Sequence, residues 1–96
     1  MRLVNSYPIA VASATDVIGT TPLPVALSAA GSYDPDGTIV AYLWDFGDAQ
    51  TASGSLVAHV LTAQSESRVY TVVLTVMDDG GATDTAALNI SVLPAP

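Results

Sequence analysis

Two alternating runs near the C-terminus constrain the fold most strongly. Apolar side chains occupy every second position over residues 69–77 and again, from Ala86 onward, within residues 83–92. Because alternate side chains of a β-strand point to the same face, each run predicts a strand with one buried face. The Asp-Asp-Gly-Gly segment between them, residues 78–81, is typical of a tight turn, so the two strands are predicted to form a hairpin. The side chains predicted to face inward are Tyr70, Val72, Leu74 and Val76, followed by Ala86, Leu88, Ile90 and Val92.

A second stretch, residues 31–48, combines two turns and a strand. Its Asp-Pro-Asp-Gly segment at 34–37 has turn chemistry, because proline fixes φ, glycine accepts positive φ, and aspartate accepts hydrogen bonds from nearby backbone N–H groups. Residues 38–46 are rich in β-branched and aromatic side chains, which favours a central strand of a two-sheet sandwich. Alternation predicts that Val40, Tyr42, Trp44 and Phe46 face the core and that Ile39, Ala41, Leu43 and Asp45 face outward.

Shorter segments complete the predicted strands. Residues 23–29 and 56–62 are predicted as strands, and residues 7–12 as an edge strand because the proline in that segment cannot donate to a ladder. Residues 13–21 and 49–55 are small and polar, which predicts loops that each have room for one short strand. Short strands with frequent turn signals predict an all-β sandwich.

Length and composition bound what such a sandwich can do. Ninety-six residues fit one domain, residues 1–96, and half of them are hydrophobic, which is enough for a core without covalent staples. The chain has no cysteine, which excludes disulfides, thiolate nucleophiles and cysteine-based zinc sites.

The charge of the chain excludes two classes of partner. Nine carboxylates stand against two arginines, for a net charge of −7. Nucleic acids and anionic membrane surfaces both require clusters of basic side chains, so binding to either is excluded. The charge instead favours solubility and the attraction of cations. No run reaches the roughly 18–20 apolar residues of a membrane span, which predicts no membrane insertion.

The residues of the central stretch also carry a family resemblance. Gly-Ser-Tyr-Asp-Pro-Asp-Gly-Thr-Ile at 31–39 and Tyr-Leu-Trp-Asp-Phe-Gly-Asp at 42–48 resemble the signature of the PKD (polycystic kidney disease) domain family. Val-Ala-His at 57–59 and residues 70–81 agree with it, and the resemblance covers roughly residues 5–92. It implies an immunoglobulin-like β-sandwich of two antiparallel sheets with about seven strands. It also implies an extracellular or cell-surface module within a larger protein.

The two ends of the chain fit a module of this kind. The N-terminus lacks the charged and apolar regions of a signal peptide, so the leader of a secreted parent is expected upstream. The Leu-Pro-Ala-Pro end, residues 93–96, is predicted to be a linker to a further domain.

The resemblance assigns core roles to two aromatic residues. In immunoglobulin-like sandwiches a tyrosine placed like Tyr70 bonds its hydroxyl to a nearby backbone corner, and Trp44 occupies the place of the core tryptophan. The chain departs from the family at three places. Ala49 stands where glycine is usual, Leu61 stands where tyrosine is usual, and residues 64–68 replace a shorter approach to Tyr70.

The acidic turn is the strongest candidate for site chemistry. Asp34 and Asp36 form an Asp-x-Asp-Gly pattern that resembles the opening of a calcium loop, in which alternate carboxylates point at one oxygen-lined centre. An EF-hand is excluded, because no glutamate stands at the twelfth position and a strand follows instead. In a sandwich, the turn at Asp34 and the strand end at Asp78 can lie at the same end.

Some PKD-like domains of bacterial collagenases bind calcium at that end, and the resemblance implies the same ligands here. The matching positions are Asn5, Ser6, Asp34, Asp36 and Asp78, all of which offer oxygen donors. Many PKD domains bind no metal, and aspartates also satisfy turn amides unaided, so both roles remain open from the sequence.

The other polar candidates are predicted to have structural roles. Asp45 and Asp48 are expected to cap turns, Asp79 is either an additional ligand or solvated, and the single histidine, His59, matches a structural position of the family. No serine or threonine lies in a nucleophile elbow, and the aspartate pairs lie in turns rather than in a cleft. The chain is therefore predicted not to be an enzyme.

Two functions from different classes fit these predictions. One is a structural spacer between neighbouring domains of the parent protein, with calcium adding rigidity. The other is an accessory recognition module that binds a collagen-like protein or a polysaccharide for a neighbouring catalytic domain. Recognition usually requires exposed aromatic side chains, and only Tyr7 and Tyr33 are expected to be exposed, so the sequence favours the spacer.

Overall fold

A computed structural model describes residues 7–35 and 37–94 of the chain. Within these residues the protein is built from β-strands and their connections. This part of the chain contains no helix of the length and apolar character that a membrane crossing needs. The strands are β1 (Ser13–Ala14), β2 (Ile18–Thr20), β3 (Leu23–Ser28), β4 (Ile39–Asp45), β5 (Thr51–Ser53), β6 (Leu56–Leu61), β7 (Arg68–Asp78) and β8 (Thr83–Leu93).

The strands form two sheets around one core, which confirms the predicted all-β, immunoglobulin-like sandwich. One sheet has three strands in the order β1-β3-β6, and the other has five strands in the order β2-β8-β7-β4-β5. The buried hydrophobic side chains of the core are Leu23, Val25, Leu27, Ala29, Trp44, Phe46, Leu61, Ala63, Tyr70, Val72, Leu74, Val76, Ile90 and Val92.

The strand count and one strand direction differ from the prediction. The described residues contain eight strands rather than about seven, because residues 13–21 hold two short strands, β1 and β2. Strand β2 runs parallel to β8, whereas the other strand pairs are antiparallel. Strand β8 extends to Leu93, which pairs with Thr20, so the first residue of the predicted linker belongs to the sheet.

The predicted edge strand at residues 7–12 is an irregular segment, with a single bridge between Ile9 and Tyr33. Side-chain oxygens of other segments accept the hydrogen bonds that a paired strand would otherwise accept here. The backbone N–H of Ala10 donates to the Asp84 carboxylate at 2.8 Å, and that of Val11 donates to a serine hydroxyl at 2.8 Å. The segment is held against the sandwich by these bonds rather than by strand pairing.

Strands β7 and β8 form the central hairpin of the larger sheet. They pair antiparallel along most of their length, and the N–H of Asp78 donates to the carbonyl of Ala82 at 2.9 Å to close the turn. The predicted hairpin is thereby confirmed. The predicted inward residues are buried at Tyr70, Val72, Leu74, Val76, Ile90 and Val92 and half-buried at Ala86 and Leu88.

Strand β4 departs from simple alternation at its start. Its register with β7 shifts between Ile39 and Ala41, so Val40 is an extra residue between two paired ones. A bulge of this kind turns the residues before it toward the other face. Val40, which was predicted to face the core, is therefore 59% exposed, and Ile39, which was predicted to face outward, packs against the core. Beyond the bulge the predicted inward face is confirmed at Tyr42, Trp44 and Phe46.

Two buried aromatic side chains fix connections to the core. The Trp44 indole donates from Nε1 to the carbonyl of Gly54 at 2.8 Å and so holds the turn before β6. The Tyr70 hydroxyl donates to the carbonyl of Thr62 at 2.5 Å, which ties the end of β6 to the start of β7 across an exposed loop. The predicted tyrosine corner is confirmed. The Arg68 guanidinium also lies over the Tyr70 ring, 5.0 Å from its centroid.

The turn after β4 contains two residues with positive φ. Gly47 has a φ of 82°, and a Cβ at this residue would lie 2.8 Å from the carbonyl oxygen of Thr71, so no side chain fits. Ala49 has a φ of 72°, a conformation that glycine adopts freely and alanine does not. Alanine therefore occupies a glycine conformation at the position where the family resemblance implies glycine.

Ala49→Gly is expected to stabilise the domain, because it removes a Cβ from a left-handed conformation. The strain relieved is about 1–2 kcal/mol, and the greater freedom of glycine in the unfolded chain offsets roughly 0.5–1 kcal/mol of it. The free energy of unfolding should rise by about 0.5–1 kcal/mol, which raises the Tm of a domain of this size by about 2–8 °C. Thermal unfolding followed by circular dichroism measures the change.

Ala52→Gly is the matched control, because Ala52 lies in strand β5 and packs against the core. This substitution removes the same methyl group from a strand conformation and is expected to lower the Tm. A Tm for Ala49→Gly that is equal to or below that of the unmodified chain contradicts the strain at Ala49.

Candidate metal centre

Two acidic turns meet at one end of the sandwich. One includes Asp34 and Gly37, in the segment that leads into β4, and the other is the β7–β8 turn. The backbone joins them directly, because Ile39 pairs with Asp78 and the N–H of Asp79 donates to the carbonyl of Thr38 at 3.0 Å. The two acidic segments are therefore held side by side by the sheet itself.

Asp78 is the best-fixed carboxylate of this end. Its side chain is buried, and its Oδ1 accepts hydrogen bonds from the N–H groups of Gly80 at 2.9 Å and Ala82 at 2.8 Å. The tight turn presents both N–H groups to the residue that begins it, which is why an aspartate suits this position. The turn thus holds the Asp78 carboxylate in a fixed position.

Three carboxylates from the two turns converge. One carboxylate oxygen each from Asp34, Asp78 and Asp79 lies within 4.8 Å of the other two. Oxygen ligands lie about 2.3–2.6 Å from a calcium ion, so ligands on opposite sides of one ion are about 5 Å apart. The three oxygens are therefore close enough together to bind a single calcium ion. Three like charges this close also favour a divalent cation by their mutual repulsion.

Gly37 makes this convergence possible. A Cβ at residue 37 would lie 2.6 Å from Oδ1 of Asp79 and 3.1 Å from Oδ2 of Asp34. The glycine thus allows two of the carboxylates to approach the same backbone segment. From the sequence this glycine was explained by turn chemistry alone, and the second reason depends on a contact between distant residues.

The structure brings together two of the five predicted ligands, Asp34 and Asp78. Asp79, which was either an additional ligand or solvated, joins them with an exposed side chain. Its position follows from the hairpin turn, which places consecutive aspartates beside the same neighbour. The remaining predicted ligands, which lie outside the described residues, are Asn5, Ser6 and Asp36.

Asp84 makes a structural contact that the sequence pattern did not predict. Its Oδ2 accepts the hydrogen bond from the N–H of Ala10, which ties the N-terminal segment to the start of β8. The available signal was its position, because Asp84 occupies an inward-facing place in an otherwise apolar alternating run. A half-buried carboxylate at such a place indicates a hydrogen-bond partner from another segment.

The other acidic candidates and the histidine make structural contacts. Asp45 Oδ1 accepts from the N–H of Gly47 at 3.0 Å, and Asp48 Oδ1 accepts from the N–H of Gln50 at 3.1 Å, which confirms both as turn caps. His59 contacts the same turn, with its Nε2 at 2.7 Å from Asp48 Oδ2. Its ring also stacks on that of Phe46, with centroids 4.0 Å apart and planes 7° apart.

The comparisons with known proteins agree with this fold. The PKD domain model matches residues 5–92. The microbial collagenase of Vibrio alginolyticus is 36% identical to this chain over 86 residues, which is 90% of this chain and 10% of that protein. The chain spans about a tenth or less of the length of the curated relatives that it matches.

Two solved structures superpose on the chain. The PKD1 domain of Vibrio anguillarum Epp has a TM-score of 0.77 at 34% identity, over 96% of this chain and 100% of that domain. A structure described as carbohydrate-binding modules from the β-sandwich superfamily has a TM-score of 0.87 at 29% identity, over 97% of this chain and 37% of that one. With the family match over most of its length, this chain belongs to the PKD domain family.

Proposed function

We propose that this chain is a non-catalytic extracellular spacer module of a larger secreted or cell-surface protein, and that calcium bound at the two acidic turns rigidifies it. The observation that supports this most strongly is the convergence of three carboxylates within 4.8 Å. The proposed ligands are Asn5, Ser6, Asp34, Asp36, Asp78 and Asp79.

The path of the chain supports a spacer. Ala10 is hydrogen-bonded to Asp84 at the start of β8, so the N-terminal segment lies at the acidic end of the sandwich. Leu93, at the other end of β8, pairs with Thr20. The strand between Asp84 and Leu93 corresponds to roughly 30 Å at about 3.3 Å per residue. Domains attached before and after the module would be held apart by about this distance.

The acidic turns lie at the end of the module to which the N-terminal segment is bonded. Asp34 belongs to the segment that crosses from β3 in one sheet to β4 in the other, whereas Asp78 and Asp79 belong to the hairpin turn. A cation between them cross-links the crossing segment to the hairpin. Ile9 exchanges backbone hydrogen bonds with Tyr33, next to Asp34, so the N-terminal segment is tied to the same place.

An extracellular location fits a site of this kind. Calcium sites of extracellular modules have dissociation constants of about 10⁻⁴–10⁻³ M, which match the millimolar calcium available outside cells. At 1 mM calcium and a Kd on the order of 10⁻⁴ M, binding stabilises the fold by roughly 1.4 kcal/mol. Similarity to a microbial collagenase and the usual setting of the family support a secreted parent.

The contacts of the titratable groups support a non-catalytic role. His59, the single histidine of the chain, is held by Asp48 and stacked on Phe46. Both contacts stabilise the turn after β4 rather than activate a nucleophile. The clustered carboxylates lie on two adjacent turns, not on opposite walls of a cleft that could hold a substrate between them.

Millimolar calcium is expected to raise the Tm of the domain relative to EDTA. The stabilisation of roughly 1.4 kcal/mol corresponds to a shift of about 5–10 °C for a domain of this size. Asp34→Asn and Asp36→Asn each remove one charge from the site and should abolish most of the shift. Differential scanning calorimetry in matched buffers measures it, with magnesium as the control cation.

Asp16→Asn is the matched control variant, because Asp16 is an exposed aspartate next to Val17, whose carbonyl bonds to Ser91 near the far end of β8. This variant should keep the full calcium shift. If the melting curves of the unmodified domain superimpose in calcium and EDTA, the proposed metal site is contradicted. The domain would then be a metal-free spacer, with the acidic turns serving only as caps.

Substitutions at Asp78 separate its structural role from its proposed ligand role. Asp78→Ala removes the acceptor for the N–H groups of Gly80 and Ala82, and is expected to lower stability in EDTA by about 2 kcal/mol or more. Asp78→Asn keeps an acceptor oxygen and should be milder in EDTA, yet lose the calcium shift. Urea unfolding in EDTA and in calcium measures both. A full calcium shift in Asp78→Asn contradicts the ligand role.

A recognition role is the second candidate, and an exposed apolar strip favours it. Ile9 and Tyr33 exchange backbone hydrogen bonds, so their side chains lie on the same face. Tyr7 stands two residues before Ile9, and its side chain is exposed as that of Ile9 is. Tyr7 is 70% exposed and Tyr33 is 56% exposed, as expected from the sequence. Aromatic side chains of this kind bind sugar rings or apolar side chains of a protein, and a structure described as carbohydrate-binding modules superposes on the chain over 37% of its own length.

Pull-downs on insoluble glycans and on collagen fibres test this second candidate. If the strip binds either one, Tyr33→Ala should reduce the bound fraction several-fold. Val69→Ala, at an exposed apolar residue of the opposite end, should leave it unchanged. No retention of the unmodified domain on any of these materials leaves the spacer as the function.

A further inference from the structure

The smaller sheet has one long open edge. Within the described residues, the sheet edges are formed by β1, β2, β5 and β6, of which the first three are two or three residues long and β6 has six. Natural sheets protect long edges with charged side chains, proline or bulges. Strand β6, Leu-Val-Ala-His-Val-Leu, has no lysine, no carboxylate and no proline, and it pairs with β3 without a register shift.

The hydrogen bonds of the neighbouring strand β3 identify the backbone groups of β6 that face this edge. Ala26 in β3 uses its N–H and its carbonyl for hydrogen bonds with Thr15, so both groups point away from β6. Ala26 stands opposite Ala58. In an antiparallel ladder such a pair is not hydrogen-bonded, so Ala58 turns its own N–H and carbonyl toward the open edge. By alternation, Leu56 and Val60 do the same.

The side chains of these three residues lie on the outer face of the sheet. Leu56 is 70% exposed and Val60 is 51% exposed. Beside them is a shallow apolar groove of about 660 Å³, lined in part by Pro24, Ala26 and Ala58. Among the described residues no other strand pairs with these backbone groups, so the edge combines them with an apolar outer surface, which is the combination that strand addition uses.

The charge distribution favours a second copy of this chain as the partner. All nine carboxylates lie outside β1, β3 and β6, and this sheet carries no lysine or arginine. Two chains of net charge −7 can therefore pair along this sheet without bringing a charged residue of one paired strand against a charged residue of the other, and the carboxylate that contacts β6, that of Asp48, is held by His59 at 2.7 Å. A partner strand with charged side chains would find no opposite charge on β6 itself.

We propose that β6 pairs antiparallel with β6 of a second copy, with Ala58 opposite Ala58 on the two-fold axis. Antiparallel partners share a face, so the register must place outward residues opposite outward residues. Centring on Ala58 or on His59 does so over five residues, but only centring on Ala58 pairs all three edge-facing residues, and it places Leu56 opposite Val60 of the second copy. The two small sheets then form one six-stranded sheet, and each exposed Leu56 gains an apolar neighbour beside the groove.

The contact is small, so the dimer is weak and depends on concentration. Pairing over five residues buries much less than the roughly 1,200 Å² of a stable interface. The contact acts where parent molecules are concentrated on a surface or where several copies are tethered together, since tethering raises the effective concentration to the millimolar range.

Disulfide trapping tests the register, because the chain has no native cysteine. Directly opposite hydrogen-bonded residues have Cα atoms about 5.5 Å apart, within the range that a disulfide spans. Ala58→Cys is therefore expected to cross-link to dimer at least tenfold faster than Leu56→Cys alone, whose two sulfurs would be separated by four residues, about 13 Å. Leu56→Cys mixed with Val60→Cys should cross-link as a heterodimer.

The reaction is followed by non-reducing electrophoresis at millimolar protein under mild oxidation, after thermal melts have established that each variant is folded. Val60→Lys in the Ala58→Cys background places a charge on the edge and should slow the cross-linking at least tenfold. Equal rates for Ala58→Cys and Leu56→Cys, or no effect of Val60→Lys, overturn the proposal. Fast cross-linking of Leu56→Cys alone points to a different register and overturns it as well.

Discussion

The pairing of β7 with β8 is the interaction on which the rest of this structure depends. It supplies most of the inner face of the larger sheet, with Val72, Leu74 and Val76 on one strand and Ile90 and Val92 on the other. The same two strands determine the ends of the molecule. Their turn carries two of the three clustered carboxylates, and the last residue of β8 marks the opposite end. A hairpin that forms the core also sets the length of the module.

At the acidic end, closing the hairpin turn and binding a cation would use the same carboxylate oxygens. Asp78 Oδ1 already closes the hairpin turn through two backbone N–H groups, so this part of the site is built whether or not a cation binds. Asp34 and Asp79 complete the cluster only because Gly37 leaves space between them. The fold thus tolerates the repulsion of three carboxylates. A divalent cation would offset that repulsion and would link the β3–β4 connection, the β7–β8 turn and the N-terminal segment.

Much of the fold could be predicted from the sequence, because burial of alternating side chains is a local pattern. The inward faces of β7 and β8 and the buried Trp44 and Tyr70 follow from it. Features that depend on contacts between distant residues could not be read in the same way. The bulge at Val40 depends on the register with β7, and the need for glycine at residue 37 depends on Asp79, forty-two positions away. Ala49 was recognised only as a departure from the family, and its positive φ explains why the departure matters.

The central claim is that one cation binds between the two acidic turns and links them. A calcium titration of the ¹⁵N-labelled domain, followed by amide chemical shifts, tests it most directly. The account predicts saturable shifts with a single Kd on the order of 10⁻⁴ M at residues 34–39 and 78–82, including the amides of Gly80 and Ala82. Residues 65–68 at the far end should not respond. Small, non-saturating shifts spread over all acidic segments, or none at all, would contradict the account.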